Sequence, residues 1–259
     1  MYKRGLKLWS VNTDFYYDDA IRLYSLGLYD YIELYVVPDT LDTLFKWKEL
    51  EKRNGIPFII HNAHFAQGFN LAKQEKAERN RKIYDQTKQF ADELDAKYII
   101  FHGGIDGDIK ETASQLASFK EPRALIENKP FVALPNRMGG EFCRGYNKDE
   151  IKLVMDTAGC GFCLDFGHAI CAANSLGVNV YEYCEQFLNL NPNMFHLTDL
   201  DDINSPYDSH LHLGAGQLDF NRIFAMIPDE SYVTFETVKN SKKDLNDFTE
   251  DMEWLKNIK

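Results

Sequence analysis

Short runs of β-branched and aromatic residues alternate with amphipathic helical patterns along the whole chain, and this alternation restricts the folds open to it. We interpret eight of the runs as β-strands, at residues 5–10, 31–36, 57–61, 97–102, 123–127, 161–165, 194–197 and 232–236. A helical pattern follows each run, at residues 15–26, 41–53, 75–94, 109–118, 148–157, 180–190, 218–226 and 243–256. Strands that alternate with helices in this way are typical of parallel sheets.

Eight βα units without an intervening linker, repeat or low-complexity segment predict an α/β fold, a single (β/α)₈ TIM barrel over residues 1–259. The 259 residues, 44% of them apolar, are enough to bury one large core. A doubly wound sheet is the alternative. However, no G-x-G-x-x-G directly follows a strand, and Gly214-x-Gly216 comes only after a long loop, which disfavours a dinucleotide site.

The formal net charge of −11, from 29 basic and 40 acidic residues, disfavours a broad nucleic-acid-binding surface. DNA stays open as a substrate, because carboxylates buried around a metal count in the formal charge without forming negative surface. No stretch is apolar over the length that a membrane span needs, and the five cysteines do not indicate a disulfide framework. We expect a soluble cytoplasmic protein without a membrane partner.

Histidines and carboxylates recur where the predicted strands end. In residues 193–220, Asp208, His210 and His212 occupy alternate positions, and alternate residues of an extended segment share a side. Further groups end or closely follow six different strands: His61, His102, Glu127, Asp165 (with His168 three residues later), His196 and Glu236. Any one of these histidines could be an ordinary core residue. If the whole set were placed by chance, however, each ionisable group would need its own buried partner. In a barrel these residues meet at the C-terminal face, and their donor atoms suit zinc, manganese or iron.

The connection from residue 128 to residue 147 is unusually long and contains prolines and glycines. Loops of this size in compact domains are commonly lids or binding loops. It carries Lys129, Arg137 and Arg144, and Lys239 follows Glu236 at the same predicted mouth. These cations suit a compact anion held by charge-assisted hydrogen bonds, although each could equally pair with an acidic surface neighbour.

Short motifs at these positions resemble the xylose-isomerase-like TIM barrels, and among them the endonuclease IV (AP endonuclease family 2) type. The fragments span nearly the whole chain and are, in order, IHNAH at 60–64, NL at 70–71, FHGG at 101–104, IEN at 126–128, LDFGHA at 164–169, HLTD at 196–199, DSH at 208–210, LGAG at 213–216 and FET at 235–237. Each fragment is weak alone, but their order and completeness are specific.

The resemblance implies a centre of up to three divalent metal ions, with zinc as the first expectation and manganese or iron open. By their positions in the motifs, His61 and His102 would hold the first ion, and Glu127 would bridge it to the second. The remaining ligands would be Asp165, His196 and Glu236 for the second ion, and His168, Asp208 and His210 for the third.

The sequence departs from the endonuclease IV type in the loops that bind DNA there. Residues 9–14 and 36–40 follow the first two strands without a cation, where the family carries polar and basic residues. His64 and Phe65 stand where the family has a tyrosine. His64 and His212 match no family ligand, so we expect both at the substrate mouth or behind the ligands. These differences favour a small anionic sugar or sugar phosphate as substrate over abasic DNA.

We expect a metal-dependent enzyme that hydrolyses a phosphoester by AP-endonuclease-like chemistry, which a metal cluster can support. The alternative is a divalent-metal sugar or sugar-phosphate isomerase or epimerase, in which Glu127 and Glu236 act as the acid/base pair. Glu127 and Glu236 are therefore the predicted catalytic residues. A multinuclear iron oxidase and a metal-stabilised binding module without turnover are further alternatives. The sequence leaves the oligomeric state open.

Overall fold

The computed structural model describes residues 2–258, and in them eight parallel strands close into a barrel. Each strand pairs with the next, and the first pairs with the last from Lys3 opposite Tyr232 to Leu6 opposite Phe235. The strands are β1 Lys3–Trp9, β2 Tyr31–Tyr35, β3 Phe58–His61, β4 Ile99–His102, β5 Ala124–Glu127, β6 Gly161–Asp165, β7 Met194–Leu197 and β8 Tyr232–Phe235. The predicted (β/α)₈ barrel is confirmed.

Nine α-helices surround the barrel within residues 2–258. They are α1 Tyr17–Ser25, α2 Leu44–Asn54, α3 Ala77–Glu93, α4 Ile109–Phe119, α5 Lys148–Ala158, α6 Phe166–Leu176, α7 Val180–Leu188, α8 Phe220–Met226 and α9 Asn246–Asn257. None of them combines the length and the apolar character that crossing a membrane requires.

Helix α6 is the one helix that the sequence reasoning did not predict. It begins directly after β6, where the side chain of Asp165 caps it by accepting a hydrogen bond from the His168 backbone N–H at 2.7 Å. Residues 166–173 are all buried. A helix without a polar face has no 3.6-residue hydrophobic period, so its sequence lacks the pattern used to find the other helices.

The other differences are shifts at the ends of predicted elements. The helix predicted over 41–53 begins at Leu44, because Leu41–Thr43 form a 3₁₀ turn. The last helix begins at Asn246 rather than at residue 243. Strand β8 ends at Phe235, so Glu236 follows the strand instead of ending it.

Side chains inside the barrel follow a two-residue step along the strands. The lower layer is apolar and consists of Tyr31, Ile59, Ile100, Leu125, Cys163 and Met194. On β1 the same layer has Gly5, where a Cβ would lie only 2.5 Å from the Tyr31 ring. Two positions further on, these strands carry polar residues: Glu33, His61, His102, Glu127, Asp165 and His196. The fold therefore gathers one polar side chain from each of six strands near the C-terminal end of the barrel.

Candidate metal centre

The nine predicted ligands meet at the C-terminal end of the barrel. Their ligand atoms form groups whose members lie within 4.8 Å of one another: His61, His102 and Glu127; Glu127, Asp165 and His196; and His168, Asp208 and His210. We call these the first, second and third groups. Glu236 joins His196 in a further group with Glu33, which the sequence reasoning did not single out. Glu127 belongs to the first two groups, which is where a bridging ligand would lie.

Glu127 is almost fully buried at the end of β5. Its Oε2 lies 3.2 Å from His61 Nε2 and 3.0 Å from His102 Nε2. Its Oε1 lies 3.0 Å from His168 Nδ1 without a hydrogen bond, because that nitrogen donates to the carbonyl oxygen of Asn128 at 3.0 Å. Oε2 therefore faces the histidines of the first group, and Oε1 faces a histidine of the third group.

Backbone carbonyls fix the orientation of the ligand histidines. Nδ1 of His61 donates to the Asn62 carbonyl at 2.8 Å, and Nδ1 of His210 donates to the Glu236 carbonyl at 2.9 Å. His168 is held in the same way. His210 also has a backbone φ of +50°, a strained value for a residue with a side chain. In each ring the outer nitrogen is occupied by a backbone carbonyl, so Nε2 faces the centre.

His196 presents the opposite nitrogen to the centre. Its Nε2 donates to Glu33 Oε2 at 2.8 Å, and both residues are fully buried. Its Nδ1 lies 3.1 Å from Glu236 Oε1, 3.6 Å from Glu127 Oε2 and 4.0 Å from Asp165 Oδ2. The three carboxylates repel one another, and a cation bound between them and the ring nitrogen would stabilise the arrangement.

Electrostatics differ between the first and third groups. Burial lowers the pKa of His102 to about 3, so the ring is neutral and ready to bind a metal. In the third group, Asp208 Oδ2 lies 2.6 Å from His210 Nε2 and 3.4 Å from His168 Nε2. Burial alone would lower the pKa of His210, but Asp208 raises it to about 10. A metal that binds the third group would therefore displace a proton from His210.

Three buried side-chain atoms of the centre have no hydrogen-bond partner in the described part of the chain: Glu127 Oε1, His196 Nδ1 and Asp208 Oδ1. Leaving such a group without a partner typically costs about 1–3 kcal/mol. All three atoms belong to predicted ligands, and metal coordination would satisfy each. Nitrogen and oxygen donors without thiolate suit zinc, manganese or iron. The residues present therefore fit a divalent metal cluster.

Lys7 and Glu33 are the site residues that the sequence reasoning missed. Lys7 on β1 donates to Glu33 and, at 2.6 Å, to Glu236, while Glu33 accepts from Thr234 Oγ1 at 2.6 Å. Burial alone would lower the pKa of Lys7, but Glu236 and Glu33 raise it above its usual value, so the lysine stays charged. One signal could have identified them, since each is a charged residue at an inward position of an apolar strand.

Four of the predicted substrate contacts line a cavity of ≈ 600 Å³ above the centre: His64, Phe65, Lys129 and Arg137. The rings of His64 and Phe65 stack with centroids 4.4 Å apart. Burial lowers the pKa of His64 well below its usual value, so this ring is neutral. Lys7, Trp9 and Tyr35 add to the same wall.

The other three predicted substrate contacts do not line this cavity. Arg144 donates to the carbonyls of Asp106 at 3.0 Å and Gly107 at 2.8 Å. His212 Nδ1 lies 3.1 Å from a carboxylate oxygen of Asp251 in α9, and Lys239 Nζ donates to the Thr237 carbonyl at 2.8 Å. Each of these polar groups already has a partner in the protein away from the cavity, and the sequence positions alone did not indicate these contacts.

The long loop over residues 128–147 folds back on itself and forms one wall of the cavity. Isolated antiparallel bridges join Val132 to Phe142, and Cys143 to Ile105 in the β4–α4 connection. Ile105, Ala133 and Cys143 form a small apolar cluster, with Phe65 and Met138 packed against it. The loop is thus packed against the β4–α4 connection by a small apolar core, and several of its apolar side chains line the cavity.

Comparison with known proteins places the chain in a family. The family model for the xylose isomerase-like TIM barrel matches residues 22–258. A protein named probable endonuclease 4 from Mycobacterium ulcerans (strain Agy99) is 29% identical over 202 residues, which cover 74% of this chain and 77% of that protein.

Solved structures with the same fold carry names from two enzyme classes. One is a D-tagatose 3-epimerase-like protein, 18% identical, with a TM-score of 0.72 over 98% of this chain and 96% of that one. Another is endonuclease IV from Thermus thermophilus, 18% identical, with a TM-score of 0.70 over 99% and 100% of the two chains. The resemblance drawn from the sequence motifs is confirmed. The chain belongs to the xylose isomerase-like TIM barrel family.

Proposed function

We propose that the protein is a metal-dependent hydrolase that cleaves a phosphoester by endonuclease IV-type chemistry, with a small anionic sugar phosphate as its substrate. The observation that carries this proposal is the third group, in which Asp208 and His210 join His168 beside the two groups that share Glu127. An enzyme with a single metal ion would need only part of this set. The curated relatives named probable endonuclease 4 agree with a hydrolase.

The protein's own residues supply binding and orientation. Bound divalent ions would contribute an activated water and the positive charge that a reacting phosphoryl group requires. Glu127 would help to hold the ions, because its carboxylate lies against His61, His102 and His168. Lys129 and Arg137 line the cavity and can donate charge-assisted hydrogen bonds to a phosphate.

The shape and charge of the mouth support a compact substrate. The cavity measures ≈ 600 Å³ and is walled on one side by apolar residues of the loop, including Val132, Leu134 and Met138. The stacked His64 and Phe65 rings offer a flat face on which the apolar side of a sugar can pack. A DNA track would need a wider crescent of cations, whereas the chain carries a net charge of −11.

A direct assay tests the substrate. Zinc-, manganese- and iron-loaded protein is offered a panel of sugar phosphates and free sugars beside a duplex that contains an abasic site. We expect phosphate release from at least one sugar phosphate. Salt-sensitive incision of the duplex without turnover of any small molecule would overturn the small-substrate proposal in favour of an endonuclease. Turnover of neither substrate class would contradict the hydrolase.

A sugar isomerase or epimerase is the second candidate. Glu127 and Glu236 both line the cavity, and their carboxylates lie 3.6 and 3.1 Å from His196 Nδ1 below it. Two carboxylates across a sugar can move a proton between carbons. The discriminating measurement is deuterium incorporation from D₂O into the recovered sugar, which an epimerase would produce and a phosphoester hydrolase would not.

A further inference from the structure

Lys129 is a buried cation within the candidate ligand set. Its Nζ lies 3.0 Å from Nε2 of His168 and 3.5 Å from Oε1 of Glu127, and the residue is only 6% exposed. Its one ion-pair partner within residues 2–258 is Glu127, itself a candidate bridging ligand. The ammonium is therefore held by the groups that a metal would also use.

The hydrogen bonds of His168 define this contact. Its Nδ1 donates to the Asn128 carbonyl at 3.0 Å, so Nε2 is the nitrogen left to bind another group. The Nζ of Lys129 lies 3.0 Å from Nε2, and because an ammonium group can only donate, it pairs with this nitrogen when the nitrogen is unprotonated. An ion held by His168, Asp208 and His210 would also need Nε2 of His168 in its unprotonated form.

Distance adds a second conflict. A metal–imidazole bond is about 2.0–2.1 Å long. Because Nζ of Lys129 lies 3.0 Å from the same ring nitrogen, the ammonium and a bound ion would be at most about 5 Å apart in any direction. Like charges at that separation repel more strongly in a buried site than in water.

We propose that Lys129 competes with a metal ion for the third group, so that this group binds a divalent ion more weakly than its ligands alone would allow. The third ion then binds fully only when the lysine side chain turns away from His168. This inference rests on the metal centre used in the proposed function, but not on the reaction.

The test measures Zn²⁺ binding without any substrate. Metal-free protein is titrated with Zn²⁺ by calorimetry, and its metal content is measured after gel filtration. Lys129→Met keeps the length of the side chain but loses its charge. We expect this variant to bind the third equivalent of Zn²⁺ at least ~10-fold more tightly than the wild type. Adding His210→Ala to that variant should abolish the gain, because it removes a ligand of the third group.

Two matched variants control for charge and for position. Lys129→Arg retains the cation and should leave the third equivalent weak. Lys239→Met removes another lysine near Glu236, but one whose Nζ donates to the Thr237 carbonyl and contacts no candidate ligand within residues 2–258. It should leave Zn²⁺ binding unchanged.

Several outcomes would overturn the proposal that Lys129 competes with a metal ion. They are a wild-type third equivalent as tight as the first two, an unchanged affinity in Lys129→Met, and a gain that survives His210→Ala. If circular dichroism shows that Lys129→Met is unfolded, Lys129→Gln provides the same comparison. Because no substrate is present, a failure of the proposed hydrolysis leaves these readouts unaffected.

Discussion

At the scale of single residues, the centre depends on a carboxylate that faces two groups of histidines. Glu127→Gln keeps the side-chain shape but removes the charge and one of the two acceptor oxygens. We expect loss of bound metal and a fall in activity greater than the ~10–100-fold cost of losing an outer hydrogen bond. Metal analysis, activity and circular dichroism check this. A folded, active variant with full metal content would contradict the bridging role.

Glu33 acts on the centre through His196 and not by contact with substrate. It accepts the Nε2 proton of His196 at 2.8 Å and pairs with Lys7. Glu33→Gln should weaken the second group's metal affinity ~10–100-fold, because a neutral amide replaces the charged carboxylate that accepts the Nε2 proton of His196. The control is Glu121→Gln, which changes a buried, paired glutamate that precedes β5 at the other end of the barrel. Equal Zn²⁺ affinities for the two variants would refute the role of Glu33.

At the scale of elements, the side chain of Arg144 helps to fasten the long loop to the β4–α4 connection. Arg144 donates to the carbonyls of Asp106 and Gly107 and lies 3.4 Å from Glu150 of α5. Arg144→Ala should increase hydrogen exchange and proteolysis across residues 128–147 and raise KM, with metal content unchanged. Arg137→Ala is the matched control, since Arg137 lies in the same loop, lines the cavity and is exposed. It should raise KM without loosening the loop.

A second tie joins helix α3 to the start of β5. Glu121 accepts hydrogen bonds from Arg123 Nε at 2.7 Å and from Tyr84 Oη at 3.0 Å. Burial alone would raise the pKa of Glu121, but Arg123 and Tyr84 lower it below its usual value. A lowered pKa in the folded state stabilises the fold above the unfolded pKa, and this stabilisation is lost as pH falls through the folded pKa.

Glu121→Gln should therefore destabilise the protein by about 1–3 kcal/mol at pH 7, with the difference shrinking below about pH 4. Urea unfolding at a series of pH values measures both effects. A difference that stays constant down to about pH 3 would show that the charge of Glu121 contributes nothing. Glu78→Gln, on the exposed face of α3, should change stability little at any pH.

At the scale of the whole molecule, net charge and the position of the cations predict how salt affects turnover. A protein that contacts roughly 6–10 DNA phosphates loses roughly 10³–10⁵ in affinity between about 50 and 200 mM salt. This chain has a formal net charge of −11, and the cations of the site are confined to one cavity. We expect kcat/KM for the small substrate to change less than about tenfold over that range. A steeper fall would indicate an extended anionic substrate.

The sequence by itself determined the barrel and the layer in which the ligands lie. Both follow from local periodicity: strand-like runs alternate with helical patterns, and each inward polar residue follows an inward apolar one by two positions, as His61 follows Ile59. The motifs around Glu127 and Asp165 could be placed at the C-terminal face for the same reason, since parallel strands all end there. Helix α6 was not predicted, because a helix that is buried on nearly all sides has no 3.6-residue hydrophobic period to detect.

Only the tertiary structure decided which atoms of those residues meet. The hydrogen bond between His196 and Glu33 joins residues 163 positions apart, and that between Lys7 and Glu236 joins residues 229 apart. No local pattern encodes such pairs, because they arise when the sheet closes and brings distant strands side by side. Arg144 was predicted at the substrate mouth from its place in the loop, yet nearby carbonyls hold it elsewhere. Sequence spacing specifies the face on which a side chain lies, whereas its partner depends on the packing of the whole barrel.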